Sequence, residues 1–237
     1  MGRPAGRTDS GGGGRPPPPS PAGADLGSHV VLVPVKAFHH AKVRLTPALA
    51  PAARAALARA MAERVVAAAA PLSTAVVCDD PAVATWAGEL GALVIWEPGK
   101  GLNRAVEAGV GLLAAAGVTR VTVAHADLPL ATSLARVTTV DPALASAESP
   151  PAGERVVLVP DWRLDGTNVA SLPTPTAFRF AYGPGSFRRH WVAATRLGLA
   201  VEVVRETGLA RDVDVPADLA ALGEDTRCAL GAGDVEP

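Results

Sequence analysis

Three aspartates carry the clearest metal-binding chemistry in this sequence. Asp127 directly follows a predicted strand, in the segment 126–130 (ADLPL), where a carboxylate can either ligate Mg²⁺ or cap the next helix. Asp212 and Asp214 are separated by one residue of a predicted extended segment, so both side chains point to the same side. Two carboxylates held so close repel each other unless a cation lies between them. The pair therefore favours a metal site, whereas Asp218 fits the first turn of the last predicted helix.

Three cations follow the first predicted strand within a short loop: Lys36, Lys42 and Arg44. A loop in this place commonly binds phosphates through its backbone N–H groups and its cationic side chains. The sequence has neither a G-x-x-x-x-G-K-[ST] loop nor a G-x-G-x-x-G turn here, which counts against a P-loop or a Rossmann dinucleotide site. The same cations could equally be a solvated surface. The adjacent His39 and His40 are not expected to bind a metal.

A glycine-flanked serine provides a candidate anion site. Ser186 lies in the segment 182–190 (YGPGSFRRH) at the start of a predicted helix, where free N–H groups and the helix dipole attract anions. The segment 165–168 (DGTN) forms a turn before it in the chain. Ser186 could also be a plain N-cap, and Asn103, which opens another predicted helix, could contact a base or merely cap. Covalent acyl chemistry is not indicated, because no G-x-S-x-G elbow is present.

These clusters fit one kind of reaction when they are taken together. Cations after the first strand, a carboxylate in mid-chain, a carboxylate pair near the end and an anion-binding turn would suit two phosphorylated substrates bridged by Mg²⁺. The residues by themselves therefore indicate phosphoryl or nucleotidyl transfer.

Strands and helices alternate along the chain, as in sheets that are mostly parallel and covered on both faces. We predict strands at 29–35, 74–78, 92–96, 120–124, 155–160, 168–173 and 200–205, and helices at 51–70, 82–90, 102–116, 185–197 and 216–222. The two strands around Asp165-Gly166 predict an antiparallel or mixed edge. In such sheets ligands bind at the carboxyl ends of the strands, and the polar clusters follow strands. The predicted fold class is a single α/β domain with a mixed, mostly parallel sheet flanked by helices.

Composition narrows the function classes. The 237 residues carry 22 Lys and Arg against 23 Asp and Glu, a net charge of −1, which argues against binding nucleic acid or an acidic membrane through bulk electrostatics. Only two cysteines are present, Cys78 and Cys228, so neither a disulfide framework nor a thiolate zinc site is expected. No apolar run reaches the roughly 20 residues that span a bilayer. We expect a cytoplasmic protein.

The first 28 residues differ from the rest of the chain. Glycine and proline fill half of this segment, 8 and 6 residues respectively, and such a composition has little apolar surface to bury. Residues 1–28 are therefore predicted to be a disordered tail without a secretory signal. The folded domain is expected to span residues 29–237.

Six short motifs occur in an order that resembles the CofC/FbiD family, the guanylyltransferases of coenzyme F-420 biosynthesis. They run from the first loop to the aspartate pair: VPVK-x4-AK-x-RL at 33–45, LN at 102–103, ADLPL at 126–130, DGTN at 165–168, F-x-YGPGSF-x-x-H at 180–190 and DVD-x-P-x-DL at 212–219. The resemblance covers about residues 29–222. It implies the nucleotide-diphospho-sugar transferase type of α/β fold, in agreement with the pattern above.

The resemblance also implies a reaction. A three-carbon phosphate would attack the α-phosphorus of GTP with Mg²⁺ as the cofactor, pyrophosphate would leave, and the product would pass to the next enzyme of coenzyme F-420 biosynthesis. Family members use phosphoenolpyruvate or 2-phospho-L-lactate. The Arg-, Ala-, Gly- and Pro-rich composition suggests a high-GC genome and favours phosphoenolpyruvate. A homodimer is possible.

Site residues follow from matching motif positions. The metal ligands implied by the family are Asp127, Asp212 and Asp214, and the phosphorylated acid is held by Thr167, Gly183 and Ser186. The nucleotide is met by Lys36, Lys42, Arg44 and Asn103, and the catalytic roles belong to Lys36, Asp127 and Asp214. His125, before Ala126-Asp127, departs from the small or apolar residue expected there.

Other functions remain open from the sequence. Molybdenum-cofactor and sugar-phosphate nucleotidyltransferases share this type of fold, but a glycine-rich first loop is expected in them, and Pro34-Val-Lys36 stands there instead. A non-catalytic phosphometabolite sensor of the same fold is a further alternative. Three retained candidate metal ligands count against a sensor, because a sensor does not need them.

Overall fold

Seven strands form one sheet in the computed structural model, which describes residues 26–138 and 155–232. The strands are β1 His29–Pro34, β2 Ser73–Cys78, β3 Leu93–Trp96, β4 Arg120–Ala124, β5 Arg155–Pro160, β6 Thr167–Pro173 and β7 Ala200–Val203. They lie in the order β3-β2-β1-β4-β6-β5-β7. All of the strands predicted from the sequence are present, with ends that differ by at most two residues.

A single strand runs against the others. β6 pairs antiparallel with both β4 and β5, whereas β1 pairs parallel with β2 and β4, β2 with β3, and β5 with β7. The sequence predicted that the antiparallel pairing lies at an edge of the sheet. This position is wrong, because the antiparallel strand β6 lies inside the sheet, between β4 and β5. Six of its seven residues are buried, which suits a central strand covered on both faces better than an edge strand.

Helices cover both faces of the sheet. Their bounds are α1 Pro51–Ala68, α2 Pro81–Glu89, α3 Gly101–Ala115, α4 Ala135–Thr138, α5 Ser186–Arg196, α6 Thr207–Ala210, α7 Pro216–Ala220 and α8 Glu224–Ala229. Proline opens α1, α2 and α7, where its missing N–H would have no intrahelical partner. The short helices α4, α6 and α8 were not predicted, because four to six residues are too few to show a helical period.

The core lies in layers on the two sides of the sheet. One cluster packs α1 and α2 against one face, with Val65 and Trp86 among its members. The other packs α3 and α5 against the opposite face, together with Phe178, Phe180 and Tyr182. This arrangement confirms the predicted α/β class, and it leaves the carboxyl ends of β1 and β4 free to carry polar groups.

The start of the domain lies slightly before the predicted boundary. Most of the predicted tail, residues 1–25, lies outside the described residues. The last three residues of that segment belong to the fold: Leu26 packs against the core, and the Ser28 carbonyl accepts hydrogen bonds from the N–H groups of Thr119 and Arg120. The fold therefore includes residues 26–28.

Within 26–138 and 155–232, every helix is too short or too polar to cross a membrane. Cys78 is buried, Cys228 is exposed, and both are free thiols.

Candidate functional site

The first candidate site is a cluster of charged side chains beyond the carboxyl ends of β1 and β4. We call it the acidic site; it consists of Lys42, Asp127, Asp212 and Asp214. The Lys42 ammonium donates to Asp127 Oδ2 at 2.6 Å and to Asp214 Oδ1 at 3.0 Å. Because these residues are 85 and 172 positions apart in the chain, only the tertiary fold brings them together.

The charges in the acidic site shift one another's protonation. Burial by itself would raise the pKa of Asp127, but the neighbouring Lys42 ammonium outweighs it and holds that pKa below its ordinary value. Burial likewise opposes the charged form of Lys42, whereas Asp127 and Asp214 raise the pKa of its ammonium. At neutral pH the site therefore holds a charged lysine beside the charged carboxylate of Asp127.

Asp212 forms no ion pair with the described residues. Burial, together with the negative charges of Asp127 and Asp214, raises the pKa of Asp212 to about 6. Its Oδ1 is buried and has no hydrogen-bond partner in the part of the chain that the structure describes, and the same holds for Asp127 Oδ1. Buried carboxylate oxygens without partners are costly, so these two atoms are suited to a further cation.

The three aspartates fit a divalent cation, although their present arrangement is not that of a filled metal site. Within residues 26–138 and 155–232, no group of three or more His, Cys, Asp or Glu side chains is spaced to hold a metal ion. The ammonium of Lys42 bridges Asp127 and Asp214 instead. The two unpartnered oxygens and the oxygen-only donor set are nevertheless what Mg²⁺ requires.

Close backbone contacts bring the two halves of the acidic site together. The Val213 N–H donates to the Asp127 carbonyl at 3.3 Å, directly between Asp212 and Asp214. Gly208 allows a second close contact, because a Cβ atom at that position would lie 2.8 Å from the Leu130 carbonyl oxygen. A glycine is therefore needed where α6 packs against the segment that follows Asp127.

Two further polar side chains support these segments. Asn168 Nδ2 donates to the Leu209 carbonyl at 3.0 Å, which ties β6 to α6. Asp218 Oδ2 accepts from the N–H groups of Asp214 and Val215, at 3.0 and 2.9 Å, and caps α7. The prediction that Asp218 lies in the first turn of a helix is confirmed. That helix is α7, which is not the last one, because α8 follows it in the chain. Sequence reasoning missed Asn168, which only its contact with Leu209 identifies.

The three cations of the first loop have different surroundings. Lys42 has a left-handed backbone, with φ 54°, which is unusual for a residue with a side chain. Such a conformation costs about 1–3 kcal/mol and is concentrated at functional sites. Lys36 and Arg44 are exposed, and neither forms an ion pair or hydrogen bond with a described residue. They are free to meet an anionic ligand. His39 and His40 are exposed, and their ring centroids lie 4.0 Å apart with the planes tilted by 48°.

The second candidate site consists of Thr167, Ser186 and His190, which we call the hydroxyl network. Ser186 Oγ accepts from the Thr167 N–H at 3.0 Å, and His190 Nδ1 lies 3.0 Å from Thr167 Oγ1. All three side chains are buried. Ser186 is the first residue of α5 and Gly185 takes the N-cap position, so the alternative that Ser186 is a plain N-cap is wrong. Its hydroxyl joins α5 to β6 instead.

Residues 182–186, which we call the glycine loop, lie next to this network and are held by hydrogen bonds with Asp165 and Arg189. Gly183 has φ 117° and Gly185 has φ 72°, conformations that favour glycine. Asp165 Oδ2 accepts from the Gly185 N–H at 3.0 Å. The guanidinium of Arg189 donates to the carbonyls of Ala181, Gly183 and Pro184. Gly183 itself remains exposed, so this loop is the accessible part of the second site.

Asn103 is engaged with the protein. Its Oδ1 accepts from the Tyr182 N–H at 2.7 Å, and its Nδ2 donates to the Tyr182 carbonyl at 3.5 Å. It therefore positions the segment that precedes Gly183. The Tyr182 ring contacts the ring of His125, with centroids 4.6 Å apart, next to the acidic site. The two candidate sites are thus neighbours: the His125 N–H also donates to the Asn168 carbonyl at 3.0 Å.

Solved structures share this architecture. A protein from Desulfovibrio desulfuricans G20 assigned as a nucleotide-diphospho-sugar transferase has a TM-score of 0.61 at 14% identity, over 84% of this chain and 87% of that chain. A nucleotidyl transferase from Methanothermobacter has a TM-score of 0.52, also at 14% identity, over 84% and 97% of the two chains. The single-domain nucleotide-diphospho-sugar transferase fold predicted from the sequence is confirmed.

Sequence relatives narrow the assignment further. A phosphoenolpyruvate guanylyltransferase from Rubrobacter xylanophilus is 40% identical over 196 residues, which cover 81% of this chain and 91% of the relative. The enzyme of the same name from Sphaerobacter thermophilus is 36% identical over 197 residues, with the same coverage. The family described as "Guanylyl transferase CofC like" matches residues 29–228. The chain therefore belongs to the CofC-like guanylyl transferase family and is a nucleotidyltransferase.

Proposed function

We propose that this enzyme transfers the guanylyl group of GTP to phosphoenolpyruvate, with Mg²⁺ as its cofactor, in the cytoplasm. The observation that carries the proposal is the acidic site, in which the three aspartates lie near one another and two of them have a buried carboxylate oxygen without a partner among the described residues. The choice of acid is supported by relatives named phosphoenolpyruvate guanylyltransferase that match about four-fifths of the chain. The product would then serve the next step of coenzyme F-420 biosynthesis.

The reaction forms one bond and breaks one. An oxygen of the phosphate group of phosphoenolpyruvate attacks the α-phosphorus of GTP. The bond from the α-phosphorus to the bridging oxygen of the β-phosphate breaks, and pyrophosphate leaves with that electron pair. No general base is needed, because the attacking phosphate is already an anion at neutral pH. Catalysis then depends on position and on neutralisation of negative charge.

The acidic site would hold the cofactor. Asp127, Asp212 and Asp214 would ligate Mg²⁺, which when bound supplies positive charge to the phosphates. Lys42 would share these carboxylates or move from them to a phosphate. Lys36 and Arg44 are exposed on the same loop and would neutralise the phosphates of GTP.

The acid would bind at the second site, beside the acidic site. Gly183 is exposed there, and the buried Thr167 and Ser186 lie under the glycine loop. Asn103, which already holds Tyr182, would border the nucleotide. The acid and the nucleotide would then bind next to each other, and an in-line displacement requires the attacking oxygen and the leaving pyrophosphate to lie on opposite sides of the α-phosphorus.

The test is pyrophosphate release by the purified full chain with Mg²⁺ and GTP. Parallel reactions would contain phosphoenolpyruvate, 2-phospho-L-lactate or 3-phosphoglycerate, and Asp214→Asn would serve as the inactive control. We expect release with phosphoenolpyruvate alone and its loss in the control. Release with 2-phospho-L-lactate alone would overturn the choice of acid. Binding of GTP without release in any reaction would overturn the transferase proposal and favour a sensor.

A further inference from the structure

His190 lies behind the glycine loop and is fully buried. Its ring is surrounded by aromatic side chains, with the Tyr182 centroid at 4.9 Å and the Phe178 centroid at 5.5 Å. Both ring nitrogens nevertheless have polar partners, one on the backbone and one on Thr167. A buried polar residue with two directed bonds sets the geometry of its neighbours more strictly than an apolar residue would.

The bond to the backbone determines which nitrogen of His190 carries the proton. The Ala181 N–H donates to His190 Nε2 at 2.8 Å, so Nε2 must present a lone pair. Burial, and then the positive charge of Arg189, lowers the pKa of His190 to about 4, which keeps the ring neutral. A neutral ring with an unprotonated Nε2 carries its hydrogen on Nδ1. His190 Nδ1 therefore donates to Thr167 Oγ1 over the 3.0 Å between them.

This bond from His190 determines how the hydroxyl of Thr167 can act. Its oxygen already accepts from His190, and the Thr167 N–H is used by Ser186 Oγ. The hydroxyl hydrogen has no acceptor in the described parts of the chain, so a ligand bound beneath the glycine loop would be able to accept it. A phosphorylated acid presents only acceptor oxygens, which a hydroxyl hydrogen can bind and a lone pair would repel.

We propose that His190 is a positioning residue that makes Thr167 a hydrogen-bond donor to the phosphorylated acid. The inference rests on the proposed function of this site and adds to it the residue that sets the polarity of Thr167. In this proposal His190 does not itself bind the acid, because both of its ring nitrogens are already used by the Ala181 N–H and by Thr167.

Two conservative substitutions separate the two bonds of His190. Asparagine places its amide near Nδ1, so His190→Asn keeps a donor to Thr167 and loses the acceptor for Ala181. Glutamine reaches the position of Nε2, so His190→Gln keeps the acceptor and loses the donor. Loss of a hydrogen bond to a charged ligand corresponds to about 10- to 100-fold in affinity.

The measurement is the KM for each substrate in pyrophosphate-release assays. We expect His190→Gln to raise the KM for phosphoenolpyruvate about tenfold or more, while His190→Asn stays within about threefold of the wild type. The KM for GTP should change in neither variant. Thr167→Val should match His190→Gln, and adding it to that variant should have little further effect.

His29 provides a matched control. It forms a bond of the same kind, from Nε2 to Thr122 Oγ1 at 2.8 Å, at the opposite end of the sheet. We expect His29→Asn, which loses the Nε2 bond to Thr122, to leave both KM values unchanged. Equal KM changes in the two His190 variants, or a change in the KM for GTP as large as that for the acid, would overturn the proposal and leave His190 a structural residue.

Nitrogen NMR of the ring tests the inference independently of turnover. In ¹⁵N-histidine-labelled full-length protein, the ring of His190 should show a protonated Nδ1 and an unprotonated Nε2. The reverse tautomer would overturn the proposal. Because this readout needs no substrate, it separates failure of the His190 inference from failure of the proposed reaction: an inactive wild type with the expected tautomer counts against the reaction alone.

Discussion

The acidic site and the hydroxyl network are neighbours at one end of the sheet, yet their polar groups are satisfied in opposite ways. In the acidic site, Asp127 and Asp212 each keep a buried carboxylate oxygen without a partner, and the shared Lys42 has a strained backbone. In the hydroxyl network, both ring nitrogens of His190 and the hydroxyl of Ser186 have partners. The acidic site thus keeps two carboxylate oxygens without partners, whereas the hydroxyl network is neutral and its groups are held by hydrogen bonds.

The difference matches what each region would bind. A divalent cation binds reversibly. Its carboxylate ligands must therefore be accessible to the cation and only partly neutralised by other groups when it is absent. An organic phosphate is recognised by shape and by fixed donors, which a rigid neutral network holds in place at no cost at the moment of binding. Substitutions in the two regions should therefore affect different measurements.

The largest effect is expected from Asp127→Asn, which removes a charge from the acidic site and preserves its shape. We expect turnover to fall by about 2.7–4 kcal/mol of transition-state stabilisation, that is about 100- to 1,000-fold, by analogy with loss of one preorganised charge-stabilising group. The KM for the acid should change little, because the hydroxyl network is intact. Asp80→Asn, at a helix N-cap where asparagine works as well, is the matched control and should behave as the wild type.

The pH dependence of stability probes the neutral region. His190 has a pKa of about 4 in the folded protein and 6.5 ordinarily, so the unfolded chain binds more protons between these values. Stability is therefore fully present above pH 6.5 and is lost as the pH falls toward 4. Between pH 7 and pH 5 we expect His190 to contribute a loss of about 2 kcal/mol in the free energy of unfolding.

Denaturant unfolding at both pH values checks this expectation. His190→Gln should be less stable at pH 7 and should lose less on acidification than the wild type. His29, whose pKa is also lowered to about 4 by burial and by Arg120, contributes in the same direction in both proteins and cancels in the comparison. Equal losses in the two proteins would contradict a buried neutral His190.

Lys42→Met tests the exchangeable charge of the acidic site. Without its ammonium, two carboxylates remain uncompensated, and we expect the free energy of unfolding in EDTA to fall by about 2 kcal/mol, less than for a fully buried pair because Asp214 is half-exposed. Millimolar Mg²⁺ should restore most of this loss and should raise the melting temperature of the variant more than that of the wild type. An identical Mg²⁺ response in both proteins would show that Lys42 and the cation do not share the carboxylates.

Gly208→Ala should give the smallest effect and tests the contact that closes the acidic site. The new Cβ would lie 2.8 Å from the Leu130 carbonyl oxygen, so the segment after Asp127 must move, at a cost of about 1 kcal/mol. We expect turnover to fall with little change in the KM for the acid. Gly88→Ala, at a helical position with open space, should instead be neutral or stabilise by about 0.5–1 kcal/mol. Unchanged turnover in Gly208→Ala would contradict the role given to this contact.

Local patterns decided much of this protein in advance. Short apolar, β-branched runs such as 29–34 and 120–124 are typical of strands that are buried on both faces of a sheet. Because these runs alternate with helical segments, the sequence by itself predicts a mostly parallel sheet covered by helices. Prolines at the first turns of α1, α2 and α7 mark where those helices begin. The polar clusters fall after strands in the sequence, and this placement alone predicted that they would share one edge of the sheet.

Only the tertiary structure decided which of these residues meet, because contacts between distant segments leave no local trace. Nothing in the first loop distinguishes Lys42 from Lys36 and Arg44, yet Lys42 alone of the three bridges Asp127 and Asp214. The central place of β6 depends on pairing with both β4 and β5, not on its own composition. The proton of His190 is set by the Ala181 N–H, a backbone group whose direction comes from packing and not from residue type.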